Sequence, residues 1–439
     1  MESETLAILM FAAVMVGIFS GFHVAFVLAG IGLIFGLIGW GSVVMNQMVS
    51  RSFWVMANEA LPAVPLFVFM GCLMERAGIA DKAFQILQVA LGPVRGSVAL
   101  ATVFLCTLFA AGTGIVGAPV SVMGLLALPV MMKRGYDLPL ATGSILAGGT
   151  LGILIPPSVM LILYGPLASL SVARLFTASI FPGLLLSGLY IAYIAIRCLL
   201  QPQAGPSLPP EERTMPKLQV ISAVITGMLP FFLIIVAVLG SIIMGLAAPV
   251  EAAAVGVLGG LVLSVIYRKF TWQSLKSAVY ETVKISSMIL IVTMGASIFT
   301  GVFLALGGGD VVTRFLNWLP FGPMGVLGIV LLIIFIMGFF VDWIAILLIL
   351  IPILTPIIPK LGFDPLWFAI VFAVCLQTSF LTPPFAPSIF YLKGVAPPEV
   401  QLHHIFKGVI PFIALQLIGL SLVIIFPQII LWLPSVAYR

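Results

Sequence analysis

Gly148-Gly149-Thr150-Leu151-Gly152-Ile153-Leu154-Ile155-Pro156-Pro157 lies inside an apolar segment that is otherwise long enough to cross a membrane. A continuous helix would not choose these residues. Glycine is a poor helix former, and each proline removes a backbone donor and clashes with the preceding turn. Yet apolar sequence continues on both sides, over residues 138–146 and 159–163. The stretch therefore predicts a membrane helix broken in two near the midplane. A second break is predicted 227 residues later, at Gln377-Thr378-Ser379-Phe380-Leu381-Thr382-Pro383-Pro384. Two matching breaks in spanning segments are the sequence signature of a secondary-transporter site.

Composition supports a membrane setting. The 439 residues are 62% hydrophobic and 8% charged, against about 25% charged in a soluble domain. The apolar runs allow about ten to twelve crossings or hairpins. Their continuous Leu, Ile and Gly character predicts an all-α polytopic membrane protein rather than a barrel of alternating strands. The net charge of +5 comes from Lys and Arg spread over many loops. That pattern reads as a topology signal and not as a nucleic-acid surface. Cys72, Cys106, Cys198 and Cys375 are isolated in apolar surroundings, without metal or disulfide spacing. The three histidines are too scattered for a metal site. No phosphate loop or nucleophile elbow is present, so neither ATP-driven transport nor enzymatic catalysis is expected. The first apolar run leads directly into a second and reads as a retained anchor.

Along the chain, two apolar helices meet at the Gly21-Phe22-His23 turn, and residues 41–60 are mixed. Residues 78–93 alternate polar and apolar side chains as an interfacial amphipathic helix would. Two short apolar arms, 97–110 and 119–132, flank a Gly-rich tip and predict a re-entrant hairpin. The first broken helix follows. A Pro-rich charged stretch, 201–217, divides the chain, and Arg268-Lys269 lies two crossings further on. Both carry basic residues and are expected in the cytoplasm. A second amphipathic helix, a second hairpin over 324–359, a second broken helix and a last span at 404–433 complete the order.

The expected organisation is a first scaffold and arm helix at 1–95 and transport elements at 96–166. Scaffold at 167–320 follows, with a central linker at 199–218 and the second arm helix. Transport elements at 321–394 and a C-terminal span at 395–439 end the chain.

The two halves are repeats. Pro129 and Pro356, Lys133 and Lys360, Gly135 and Gly362, Asp137 and Asp364, and Tyr164 and Tyr391 all differ by 227, as do the two Pro-Pro pairs, with no gap. Apolar residues align easily by chance, but Gly, Asp, Lys and a Pro-Pro pair do not.

A helix that stops at the midplane leaves its last carbonyls free to meet a cation. The next half-helix begins with free amides and the positive dipole end, which favour an anion. The Pro-Pro pair suits that start, since proline at the first helical position forfeits no hydrogen bond. Sodium wants oxygen ligands. The expected cation set is Thr113, Gly152, Ile155 and Pro157 in the first half and Gly338, Asp342, Thr378, Ser379 and Thr382 in the second. Gly114, Pro156, Ser158, Pro383 and Pro384 are the expected substrate-facing positions. Taken singly, Gly, Ser and Thr are ordinary packing residues of membrane helices. As two repeated clusters facing two hairpin tips, they favour ion sites. An ionised Asp342 inside an apolar hairpin costs at least ~2.5 kcal/mol, so it reads as either a sodium ligand or the cap of the hairpin's second arm. Asp137, Asp364 and Glu251 read as helix caps.

Several stretches resemble the large membrane subunit of tripartite ATP-independent periplasmic (TRAP) transporters, the DctM-like M subunit. They are Leu61-Pro-Ala-Val-Pro-Leu-Phe67, residues 114–137, Gly152-Ile-Leu-Ile-Pro-Pro-Ser158, residues 338–342 and Thr382-Pro-Pro384. The resemblance covers nearly the whole chain. It implies an inverted-repeat, elevator-type fold in a bacterial inner membrane. It also implies two sodium sites at the hairpin tips and breaks, with no organic cofactor. The implied partners are a small four-helix membrane subunit, a periplasmic solute-binding protein, an organic-acid substrate and the lipid bilayer. The first tip departs from the family's frequent Ser-Gly-Ser. Thr113-Gly114-Ile115 supplies one hydroxyl there, and Ile115 supplies none. A stand-alone ion-coupled carboxylate transporter and a channel-like or structural membrane subunit are the competing readings.

Overall fold

The computed structural model describes residues 3–209, 217–384 and 386–438. Residues 210–216, with Glu211, Glu212 and Arg213 of the central linker, lie outside the described residues. The described residues form twenty α-helices and no strand. Five helices α1 (Ser3–Phe19), α2 (Val24–Trp40), α3 (Val43–Met56), α4 (Ala63–Arg76) and α5 (Ile79–Ala90) precede the first hairpin. The mixed stretch after residue 40 is thus helical. The amphipathic α5 starts behind Gly78 and leaves α4 at an angle of 58°.

Hairpin 1 is α6 (Ser97–Thr113) and α7 (Gly117–Lys133), and the first broken helix is α8 (Leu138–Thr150) and α9 (Val159–Ala168). Each hairpin arm is 17 residues, about 25 Å at 1.5 Å per residue, short of a ~30 Å hydrocarbon core. Then come α10 (Val172–Leu200), α11 (Lys217–Ile243), α12 (Pro249–Ile266) and α13 (Trp272–Ala305). The second half continues with the arm α14 (Gly308–Trp318), hairpin 2 as α15 (Pro323–Met337) and α16 (Trp343–Leu354), and the second broken helix as α17 (Pro365–Ser379) and α18 (Pro387–Val395). The chain ends with α19 (Leu402–Ile425) and α20 (Gln428–Ala437). The helices α10, α11, α12, α13 and α19 are long and apolar enough to cross a membrane.

Three expectations need adjustment. The apolar sequence of α13 begins near residue 288, yet the helix starts 16 residues earlier, where the Thr271 hydroxyl accepts the Ser274 amide at 3.0 Å. The last span is not continuous, because Pro427 cannot extend α19 and the chain restarts as α20. The third adjustment concerns the repeated aspartates at the hairpin ends. Asp364 caps α17, accepting the Leu366 amide at 2.7 Å and the Trp367 amide at 3.2 Å. Asp137 precedes α8 without a capping bond and forms an ion pair with Arg197 instead. The sequence explains the difference. Proline occupies the first position of α17 but the second position of α8 (Pro139), where it removes a donor the cap would use. Glu251 behaves as expected and accepts the Ala248 amide at 2.8 Å.

The core lies around the first halves of the broken helices. Every residue of α8 from Pro139 to Thr150 is buried, and so is every residue of α17 from Trp367 to Ser379. Helices this apolar on all faces belong at the centre of a bundle. α8 packs against α6, α7 and α19, and α17 against α10, α15 and α19. At the α8–α19 crossing a Cβ on Gly143 would come within 2.3 Å of the Gly408 carbonyl oxygen, so the two backbones touch. A second group forms where α13 runs along α2, α3 and α4, and α12 joins α4 and α11. The packing groups α10 and α19 with the broken helices, although the sequence boundaries put α10 with the scaffold and α19 apart.

Candidate transport site

Each hairpin tip packs on a helix break. α6 ends at Gly114, whose φ of 64° turns the chain, and its amide closes on the Ala110 carbonyl at 3.1 Å. The Gly114 carbonyl then accepts the Val159 amide at 3.3 Å, joining tip to break. A Cβ on Gly114 would lie 2.4 Å from the Pro157 carbonyl oxygen, and one on Gly152 would lie 2.4 Å from the Ile115 carbonyl oxygen. Two glycines thus let two backbones meet and bring several carbonyls together. Thr113 is buried beside them. Its hydroxyl donates to the Phe109 carbonyl at 2.9 Å and lies 3.4 Å from the Ile115 carbonyl. On the other side Gly71 of α4 lets that helix approach Thr113 closely. Ile155 turns its side chain into packing against Gly183 of α10, leaving only its backbone for the site.

The break itself differs from expectation. Pro156 and Pro157, joined by a cis peptide, do not start α9. They precede its N-cap, Ser158, whose hydroxyl accepts the Leu161 amide at 3.4 Å and donates to the Ile153 carbonyl. Two of the first amides of α9, Val159 and Leu161, are therefore held by Gly114 and Ser158. Of the free amides expected at this half-helix start, those two are thus taken up by the protein's own acceptors. A hydroxyl cap and a neighbouring carbonyl satisfy orphan amides at lower cost than leaving them to a transient ligand.

At the second break the amides of Phe380, Leu381 and Thr382 donate to the carbonyls of Gln377, Thr378 and Ser379 at 3.2, 3.2 and 3.3 Å. Pro383–Pro384 is again cis, and α18 begins at Pro387, so here a proline does occupy the first helical position, four residues later than the pair. Gly338 at the tip of hairpin 2 sits against Ser379, and a Cβ there would lie 2.7 Å from the Ser379 oxygen. Thr378, Ser379 and Thr382 donate their protons to Cys375, Leu376 and Thr378 carbonyls at 2.6, 2.6 and 2.8 Å. Each hydroxyl oxygen keeps acceptor capacity beyond that bond. Asp342 caps α16, accepting the Ile344 amide at 3.1 Å, and lies in electrostatic reach of His23 and Tyr391. The cap reading of Asp342 is thereby observed. A carboxylate has oxygen lone pairs beyond those the cap uses.

The two breaks differ in exposure. Residues 151–158 are all buried, whereas Pro383 and Pro384 are exposed. The structure brings Thr113, Gly114, Gly152 and Pro157 together, and Gly338 with Ser379. It also reveals polar residues that composition did not single out. The Ser388 hydroxyl, just beyond the second break, is fully buried and has no hydrogen-bond partner among the described residues. Thr150, Tyr190, Gln377 and Gln416 form a buried cluster between the breaks. The repeat offset pairs Thr150 with Gln377 and would have pointed to them. An apolar cavity of about 440 Å³ lies elsewhere, between α1, α14 and hairpin 2, lined by Phe11, Phe303, Phe315 and Val330 among others. Without polar groups it does not suit an anion. Among the described residues no three His, Cys, Asp or Glu side chains converge, so the candidate oxygens gathered at the tips and breaks are neutral apart from the Asp342 carboxylate.

Paired helix breaks, each covered by a re-entrant hairpin in an all-α multi-pass membrane fold, define a secondary-transport architecture. Residues 8–429 match the family described as tripartite ATP-independent periplasmic transporter, DctM component. The chain belongs to this family and is a TRAP transporter large permease subunit. It is 30% identical over 392 residues to the C4-dicarboxylate TRAP transporter large permease protein DctM of Pseudomonas aeruginosa, covering 89% of this chain and 90% of that one. It is 29% identical to the sialic acid TRAP transporter large permease protein SiaM of Vibrio cholerae, covering 95% and 96%. It is 30% identical to the isethionate TRAP transporter permease protein DctMQ of Oleidesulfovibrio alaskensis, and spans 65% of that longer protein. The crystal structure of the Alcanivorax borkumensis YdaH transporter shares the fold at 13% identity, with a TM-score of 0.64 over 96% of this chain and 97% of that one.

Proposed function

We propose that this subunit imports a small organic anion across the bacterial inner membrane by sodium-coupled symport. It would work with a small four-helix membrane subunit and a periplasmic solute-binding protein. The observation that carries the reading is the close contact of each hairpin tip with its helix break, main chain to main chain at the first and Gly338 to the Ser379 side chain at the second. Such contacts assemble carbonyl and hydroxyl oxygens, the ligands a hard cation needs, at a discontinuity where irregular backbone is tolerated. Relatives named for C4-dicarboxylate, sialic acid and isethionate transport support an acidic cargo. In this reading the hairpins and broken helices, with α10 and α19 packed on them, move as an elevator against the scaffold of α2, α4, α12 and α13.

The test is uptake by proteoliposomes containing both membrane subunits, with the binding protein outside. The labelled acid is chosen by a thermal-shift screen on the binding protein. Uptake is expected only with sodium on the binding-protein side and only when that protein is present. Equal uptake with potassium in place of sodium would remove the coupling claim. Equal uptake without the binding protein would favour a stand-alone transporter.

A further inference from the structure

Thr150 and Gln377 occupy equivalent positions in the two repeats, 227 residues apart, and they touch: the Gln377 amide nitrogen donates to the Thr150 hydroxyl at 3.1 Å. Equivalent residues of a twofold repeat meet only where the axis relating the copies passes between them. Gln416 of α19 donates to the same hydroxyl at 3.2 Å. The Thr150 proton is already given to the Ala147 carbonyl at 2.8 Å, so the hydroxyl can only accept from the two amides. That requirement sets the amide orientation. Both glutamines present nitrogen to Thr150 and turn their oxygens away from it. The Tyr190 hydroxyl of α10 faces Thr150 and both glutamines.

All four side chains are fully buried. After the bonds above, three polar atoms around this point have no hydrogen-bond partner among the described residues: the Tyr190 hydroxyl and the oxygens of Gln377 and Gln416. A buried unpaired polar group is destabilising, and three at one place call for a common partner. The unmet demand is one donor and two acceptors. A water molecule has two protons for the two amide oxygens and a lone pair for the Tyr190 proton. A cation suits the site less well, since no carboxylate is among these groups and three neutral oxygens do not replace its hydration shell.

We propose that Tyr190, Gln377 and Gln416, held together through Thr150, enclose one ordered water at the repeat axis. This water fastens the two broken helices to each other and to α10 and α19. Thr150 directly precedes the turn of the first break, and Gln377 directly precedes Thr378 of the second. The cluster thus sets the register between the two breaks, whatever ion or substrate they bind.

The test is cryo-electron microscopy of the full chain in lipid nanodiscs, at a resolution that shows ordered water, in sodium chloride and in N-methylglucamine chloride. One peak is expected in both salts, within about 2.7–3.2 Å of the Tyr190 hydroxyl and both glutamine oxygens. A peak present only in sodium would identify a cation and overturn the proposal. So would the absence of a peak here in a map that shows other buried waters. Tyr190→Phe, which removes a single oxygen, and Gln416→Met supply a second measurement. Each is expected to lower the melting temperature, and the double variant by less than the sum, because both act through one shared group. Strictly additive shifts would overturn the shared partner.

Discussion

Asp342 is the one carboxylate among the candidate ligands, and it already has a structural task as the cap of α16. The two roles separate chemically. Asparagine caps a helix about as well as aspartate, whereas alanine forfeits about 1 kcal/mol. Asparagine removes the negative charge, as alanine does. Asp342→Asn is therefore expected to keep near-native thermal stability while raising the sodium concentration for half-maximal uptake at least ~tenfold, equivalent to about 1.4 kcal/mol. Asp342→Ala is expected to show the same sodium defect together with the loss of stability. Unchanged sodium dependence in the asparagine variant would reduce Asp342 to a cap.

The contact between hairpin 1 and the first break rests on two glycines that differ in what they require. Gly152 needs only space, because a Cβ would meet the Ile115 carbonyl at 2.4 Å. Gly114 needs both space and a φ of 64°. Gly135, at the base of the hairpin, has a φ of 71° and nothing within 4 Å of a Cβ, so it isolates the dihedral cost. Replacing Gly135 by alanine is expected to cost about 1–2 kcal/mol of stability and to leave uptake nearly intact. Gly152→Ala adds overpacking of about 1–3 kcal/mol where tip and break meet, and uptake is expected to fall at least ~tenfold. Uptake by Gly152→Ala equal to that of Gly135→Ala would show that close apposition of tip and break is dispensable.

Hairpin 2 packs on α13, and two of its contacts lie across the boundary over which the proposed elevator motion would slide. The Thr300 hydroxyl of α13 donates to the Leu348 carbonyl of α16 at 3.1 Å. The ring of Phe19, at the end of α1, meets Phe340 at the hairpin tip with centroids 5.1 Å apart. Both rings are exposed enough for a reagent to reach. A Phe19→Cys/Phe340→Cys pair bridged by a short bifunctional thiol reagent is expected to lose most of its uptake and to recover on reduction. Full uptake by the bridged protein would mean that hairpin 2 keeps its place beside the α1–α2 turn throughout the cycle.

Much of this architecture is legible in the chain. Glycine and proline act on the backbone dihedrals of their own neighbourhood, so the breaks at 148–157 and 377–384 announce themselves wherever they sit. The 227-residue offset is equally visible, because Gly, Asp, Lys and Pro-Pro pairs do not align by chance. Long-range contacts decided the remainder. Pro156–Pro157 precedes the cap instead of starting the half-helix, because Ser158 and the Gly114 carbonyl claim the first amides of α9. Asp137 pairs with Arg197 while its repeat mate Asp364 caps. Thr150, Tyr190, Gln377 and Gln416 look like scattered polar residues until four helices bring them to one point. Dihedral preference is a property of a few adjacent residues. Hydrogen-bond partnership between residues far apart in the chain exists only once the helices have packed.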